Sequence, residues 1–275
     1  MTVINTNVNA LFSQNAMKVN NRNLSTAMEQ LSTGQRINSA QDDAAGLAIT
    51  NTMTSNIRGL SQAVRNANDG ISMLQTAEGA MIEQTNMLQR MRELAVQAGT
   101  ATYNSAQRGY LDTEFAALTS QIDKIASQTT WNGDTILNEY VTSGNYDILV
   151  GASSGQTVTV QIANVTAGSS GLAVSGLSIS TASGATSAIA DIDAALSTIN
   201  SARATIGANI NQLTYAADNL NNVIQNTTAS RSQILDTDYA TTTTKLASAQ
   251  IIAQAATAML AQANQSQQGV LSLLK

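Results

Sequence analysis

The sequence predicts a mainly α protein, an elongated rod of long packed helices with a small β-hairpin region, plus a coiled coil formed by the N- and C-terminal helices. Three observations predict it. The 275 residues include no Pro; Pro inside a helix costs roughly 3 kcal/mol, so its absence suits long unbroken helices. Apolar residues recur at alternating steps of three and four, the period of a packed helical seam. Aromatic residues make up only 3% of the chain, which leaves Leu, Ile, Val, Met and Ala to build thin seams between helices.

The N-terminal helix is read from Ile4, Val8, Leu11, Leu24, Met28 and Leu31, a pattern interrupted by Asn. A long helix follows, with Ile57, Leu60, Val64, Ala67, Ile71, Leu74, Glu78, Met81, Thr85, Leu88, Arg92 and Ala95 at 3,4 spacing. Leu111, Phe115, Leu118, Ile122 and Ile125 carry a second seam, which folds back on the first. Trp131-Asn132-Gly133-Asp134 then supplies a turn signal.

Between about Glu139 and Ala190 the chain turns to Gly, Ser and Thr, with Glu139 and Asp147 its only charges. Tyr146 to Val150 is a short apolar run, and Val158, Val160 and Ile162 alternate with polar residues as a half-buried strand does. A β-hairpin region over about 138–184 follows. The cleanest heptad runs from Ile189 through Ile192, Leu196, Ile199, Arg203, Ile206, Ile210, Leu213, Ala217 and Leu220 to Ile224. The predicted domains are 1–43 (N-terminal helix of the coiled coil, with connector), 44–234 (three long helices and the hairpin) and 235–275 (connector and C-terminal helix).

The C-terminal pattern is Ala249, Ile252, Ala256, Met259, Ala263, Ser266, Val270 and Leu273. No charged residue lies between Lys245 and Lys275. An isolated helix of that length is marginal in water, and a long uncharged stripe must be buried or it aggregates. Neither end folds alone. Val8, Leu11, Ile252, Ala256, Met259, Ala263, Val270 and Leu273 are therefore the predicted self-assembly residues.

Composition excludes most chemistry. With no Cys and no His, the chain has no thiolate nucleophile, no disulfide and no imidazole acid, base or metal ligand. Charged residues are only 11% and net charge is -5, so no basic stripe exists to hold phosphates and nucleic acid is not an expected partner. No run approaches 18 apolar residues and no cleavable leader is readable, so membrane insertion is not expected. No cofactor, metal or catalytic residue is predicted.

Asp42 and Asp43 stand before a helix start, where they are expected to cap it, with Arg36 near enough to pair. Arg90, Arg92 and Glu93 are expected on a solvated helix face, paired with acids such as Glu114. Trp131 is expected to fill the crook of a loop. The Asn164–Thr166 glycosylation pattern carries little information in so Asn- and Thr-rich a chain, and O-glycosylation of middle-segment Ser and Thr requires their exposure.

Leu31 to Ile49 (LSTGQRINSAQDDAAGLAI), Arg65 to Met81 (RNANDGISMLQTAEGAM) and Leu88 to Ala98 (LQRMRELAVQA) closely resemble bacterial flagellins, as do the opening INTNVNAL and the closing VLSLLK. The resemblance implies a short form without the outer variable domains, in which both chain ends form a coiled coil lining a filament core. It further implies export as an unfolded chain through the flagellar type III channel and folding at the filament tip. Without X-Pro bonds or thiols, such a chain escapes slow isomerisation and crosslinking in transit.

Implied partners are other copies in a helical homopolymer, a flagellar export chaperone, and cap and hook-associated proteins. The implied location is the secreted, extracellular flagellar filament used for motility. The stretch matching Gln89, Arg90, Leu94 and Glu114 is, by the same resemblance, the surface bound by the host Toll-like receptor 5. The alternative function is a hook-filament junction protein. An enzymatic role is not expected, because the zinc peptidase inserts of some flagellins need His ligands.

Overall fold

The computed structural model describes residues 6–138 and 145–272, with side chains to residue 266. Among the described residues the elements are α1 (Val8–Thr33), α2 (Ala44–Gly99), α3 (Ser105–Gln128), β1 (Thr130–Trp131), β2 (Asp134–Thr135), β3 (Asn145–Leu149), β4 (Thr157–Gln161), α4 (Ala182–Leu235) and α5 (Tyr239–Ser272). Packing divides them into two units: Met1–Ser55 with Gln225–Lys275, and Asn56–Ile224. The mainly α class with small antiparallel sheets is as predicted.

Local chemistry sets the helix ends. Asn7 caps α1 by accepting from Ala10 N at 3.0 Å, and Gly34, at φ 73°, closes it in the left-handed region where glycine is least strained. Asn104 and Gln107 form a reciprocal capping box on α3. Asp43 accepts from Gly46 N at 2.8 Å at the start of α2, as expected of a cap. Asp42 does something else: its Oδ2 accepts from Asn38 N (3.0 Å) and Ser39 N (2.9 Å), tying the connector turn. Arg36 does not pair with Asp42, because its guanidinium donates to the Ile234 carbonyl at 2.7 Å.

In the Asn56–Ile224 unit the buried stripe of α2 holds Ala67, Leu74, Ala77, Met81, Gln84, Leu88, Met91, Leu94, Ala95 and Ala98. Heptad positions 67, 74, 81, 88 and 95 are those read from the sequence, and of their predicted partners Thr85 is buried and Ile71 packs against the core, but the stripe is centred one residue earlier at the charged positions. Ala77 and Met91 replace Glu78 and Arg92. The same correction holds on α4, where Ala195 and Ala202 are buried in place of Leu196 and Arg203. Charged side chains cannot enter a dry seam unpaired, so each stripe is turned to leave them at its rim.

There they meet one another. Arg92 Nε lies 2.7 Å from Asp193 Oδ1, and Arg203 Nη2 lies 3.8 Å from Glu78 Oε1. These pairs mark α4 as antiparallel to α2. α3 also runs antiparallel to α2, since the buried Gln84 Nε2 donates to the Ile122 carbonyl (3.3 Å) while Arg90 reaches Glu114.

β3 and β4 form the predicted hairpin, antiparallel from Asn145↔Gln161 to Leu149↔Thr157. It lies on α2 where α2 is small: Gly70 faces the Ile148 side chain, Gly59 faces Ala152, and Asn66 Nδ2 donates to the Leu149 carbonyl at 3.2 Å. The predicted turn at Trp131 closes a second two-strand ladder, β1 with β2, around Asn132 (φ 51°) and Gly133 (φ 93°). Trp131 is half-buried against the core, as expected.

The chain after β4 is irregular. Val165, Ala167, Leu172, Val174 and Ile179 are buried there. Asp123 accepts from Ala167 N and Asp112 from Ile179 N, both at 2.7 Å, fastening this segment to α3. Buried apolar area fills the core while two carboxylates satisfy backbone donors that no ladder serves.

Candidate assembly and recognition surfaces

In the other unit α1 lies antiparallel on α5, as the coiled-coil expectation requires. Asn7 Nδ2 donates to the Ala263 carbonyl at 3.1 Å and Asn20 Nδ2 to that of Ala249 at 2.8 Å. At the connectors Gln35 bridges Asp236, with Arg36 N to Leu235 O at 2.7 Å and Thr237 N to Gly34 O at 3.0 Å. The face of α5 with least exposure is Thr242, Leu246, Ala249, Ala253, Ala256, Leu260 and Ala263, at strict 4,3 spacing.

The predicted assembly stripe is therefore split. Ala256 and Ala263 are half-buried on the strip with least exposure, whereas Ile252 and Met259 stand in solvent beside it. On α1, Val8 and Leu11 are exposed, and so are Phe12 (77%), Val19 and Met28; the seam-facing places are taken by Ala10, Ser13, Met17, Asn20, Leu24 and Ala27. Leu24 and Leu31 are half-buried. Ile4, Leu273 and the side chain of Val270 lie outside the described residues. The sequence reading missed Phe12 and Ile251, which the 3,4 template skipped although both are large and uncharged.

The second surface is on α2 and α3. Arg90 donates from Nε to Glu114 Oε1 and from Nη1 to Glu93 Oε2, each at 3.0 Å, with all three side chains solvated. The Glu114 and Glu93 carboxylates hold the guanidinium above its ordinary pKa, while Arg92 holds Asp193 below the usual carboxylate value. Gln89 is exposed beside them. Leu94 is not part of that surface: it is 1% exposed and belongs to the core. The structure thus joins Arg90 to Glu114, leaves the adjacent Gln89 exposed and buries Leu94 in the core.

Among the described residues no cluster of acidic, His or Cys side chains could hold a metal ion, and no helix is long and apolar enough to cross a membrane. The bacterial flagellin N-terminal helical region matches residues 4–142, and the bacterial flagellin C-terminal helical region matches residues 189–274. The chain belongs to the bacterial flagellin family. A flagellin of Halalkalibacterium halodurans is 41% identical over 99% of this chain and 100% of its own length.

A flagellar filament core protein of Brachyspira hyodysenteriae is 40% identical over the same shares. Among solved structures, the crystal structure of Bacillus cereus flagellin superposes with TM-score 0.51 at 33% identity, over 57% of this flagellin chain and 88% of that one. A putative flagellar hook-associated protein from Vibrio parahaemolyticus has TM-score 0.61 at 13% identity, covering 71% and 100% respectively. That likeness is one of fold alone.

Proposed function

We propose that the chain is a structural, non-enzymatic subunit that polymerises into the extracellular bacterial flagellar filament used for motility. The observation that carries this is the apolar surface left open on the terminal helices, where Phe12, Ile251 (66%) and Met259 (63%) stand in solvent although α1 and α5 are already paired. An isolated soluble chain has no use for such a face, and neighbouring copies can cover it. The 40–41% identities over whole chains to a flagellin and a filament core protein support the same reading. They favour the filament over the hook-filament junction.

Deleting Ala249 to Lys275 removes the part of α5 that carries Ile251, Ile252 and Met259 and that covers the first half of α1. The truncated chain keeps the Asn56–Ile224 core and forms no filaments by electron microscopy. Filaments from that truncation overturn the assignment.

The route and partners belong to the same proposal: export as an unfolded chain with a flagellar chaperone, folding at the tip beneath cap and hook-associated proteins, and recognition of the free subunit by Toll-like receptor 5. Gln89, Arg90 and Glu114 are its receptor-facing residues, and Leu94 supports them from the core. The pairing of Arg90 with two carboxylates favours this surface as a preorganised polar patch. Receptor signalling by dissociated subunit, lost in Arg90→Ala at unchanged thermal stability, is the expected result.

A further inference from the structure

Apolar burial does not explain which side of the first half of α1 faces α5. Over Val8–Asn20, α1 carries Val8, Leu11, Phe12 and Val19 on its outward side, and turns Ala10, Ser13, Met17 and Asn20 inward; Leu24 and Ala27 continue the inward side. Within that first half the opposite roll, with Phe12 and Val19 in the seam, would bury the larger apolar area. The α5 strip also repeats itself: Ala249, Ala256 and Ala263 recur every seven residues, so its shape specifies the placement of α1 weakly.

Two side-chain amides supply what packing lacks. Asn20 is 6% exposed, and its Nδ2 donates to the Ala249 carbonyl at 2.8 Å. Asn7 donates to the Ala263 carbonyl at 3.1 Å while its Oδ1 caps α1. Both acceptors belong to alanines, whose small side chains let another helix reach the carbonyl's second lone pair. Residue 7 opposite 263, 20 opposite 249 and 35 opposite 236 all belong to one antiparallel register. Rolling α1 to bury Phe12 would break both amide bonds, and a buried amide without a partner is costly. A single buried Asn is a known device for fixing helix pairing at some expense in stability.

We infer that Asn20, supported by Asn7, is a positioning residue for assembly: it denies α5 the apolar side of α1 and so keeps Val8, Leu11, Phe12 and Val19 turned toward neighbouring copies. The inference rests on the filament reading above, and the two are tested separately. Because the chain has no Cys, introduced thiols report the roll without background. Met17→Cys with Ala253→Cys probes the observed roll, and Val19→Cys with Ala249→Cys probes the rolled alternative.

Each pair is placed in the full chain with and without Asn20→Leu, oxidised in assembled and unassembled fractions, and the critical concentration for filaments is measured. Without Asn20→Leu the first pair crosslinks. With it the second pair crosslinks, and the critical concentration rises about tenfold. Asn7→Ser keeps a capping hydroxyl but loses the amide donor; it shifts crosslinking the same way, more weakly, and serves if Asn20→Leu does not fold.

Crosslinking confined to the first pair in both variants, with unchanged critical concentration, overturns the inference. A switched crosslink with unchanged assembly overturns the link between roll and assembly. A parent chain that never forms filaments sinks the filament reading instead, while the crosslinks still decide the roll.

Discussion

Leu94 separates two roles that one stretch of α2 invites, and Leu94→Ala tells them apart. The side chain is 1% exposed within the core of the Asn56–Ile224 unit. The substitution removes three carbons, worth about 0.8 kcal/mol each in transfer, and leaves a cavity that the close-packed surroundings fill only in part. Together these destabilise by roughly 3–4 kcal/mol. A unit of this size loses about 2–4 °C per kcal/mol, so the melting temperature falls by on the order of 10 °C. Gln89→Ala, on the exposed face one turn away, changes stability by less than about 0.5 kcal/mol. Calorimetry of the purified subunits decides it. A Leu94→Ala chain melting within a degree or two of its parent refutes the core assignment and returns Leu94 to the surface.

Three further outcomes are expected. Gly70→Ala sets a methyl group against the Ile148 side chain and lifts β3 and β4 from α2, costing about 1–3 kcal/mol; amide exchange at Tyr146–Leu149 quickens while α3 keeps its protection. Gln84→Glu puts a carboxylate in a site where the native amide donates to the Ile122 and Val165 carbonyls. With no donors there its pKa rises, so the variant is destabilised at pH 7 by on the order of 4 kcal/mol and recovers as pH falls below its folded value, a loss that a melting series from pH 7 to 4 reads. Asp42 is held below the ordinary carboxylate value by the Ser39 and Asn38 amides. Its contribution is present above pH 3.8, the ordinary value, and disappears as pH drops through the lowered one; the Asn38 and Ser39 amide resonances of the parent move in that window, and those of Asp42→Asn do not.

What was legible in the sequence is what periodicity encodes. All long helices and the β3–β4 hairpin were read in place, because a stripe of apolar side chains every 3.6 residues, or every two, is the condition for burying one face. The phase within the stripe was less legible. On α2 steps of four then three place Glu78 and Arg92 in the stripe, whereas steps of three then four place Ala77 and Met91 there; the second phase also leaves Glu78 and Arg92 at the rim, where they meet Arg203 and Asp193 from a distant part of the chain. The irregular layer after β4 was illegible for a different reason: Val165, Leu172, Val174 and Ile179 have no period, and Asp112 and Asp123, which hold the layer, sit on another element.

The terminal helices invert the usual reading of an amphipathic pattern. In α2 and α4 the largest apolar side chains mark the intramolecular seam. In the first half of α1 the largest of them mark the opposite side, since Phe12 and Val19 are exposed while Ala10 and Asn20 are buried. A seam of small residues brings backbones close and lets side-chain amides reach carbonyls, which yields a specific but weakly stabilised pair. Large apolar residues left outside give that pair a reason to associate further. The 3,4 period locates a face that must be covered; the size of the residues along it distinguishes covering by the chain itself from covering by another copy. By that criterion α5 is divided along its length, with Ala249, Ala256 and Ala263 turned to α1 and Ile251, Ile252 and Met259 turned away, so exchanging the two sets, for instance Ala256→Ile with Ile252→Ala, abolishes assembly although composition and period are unchanged.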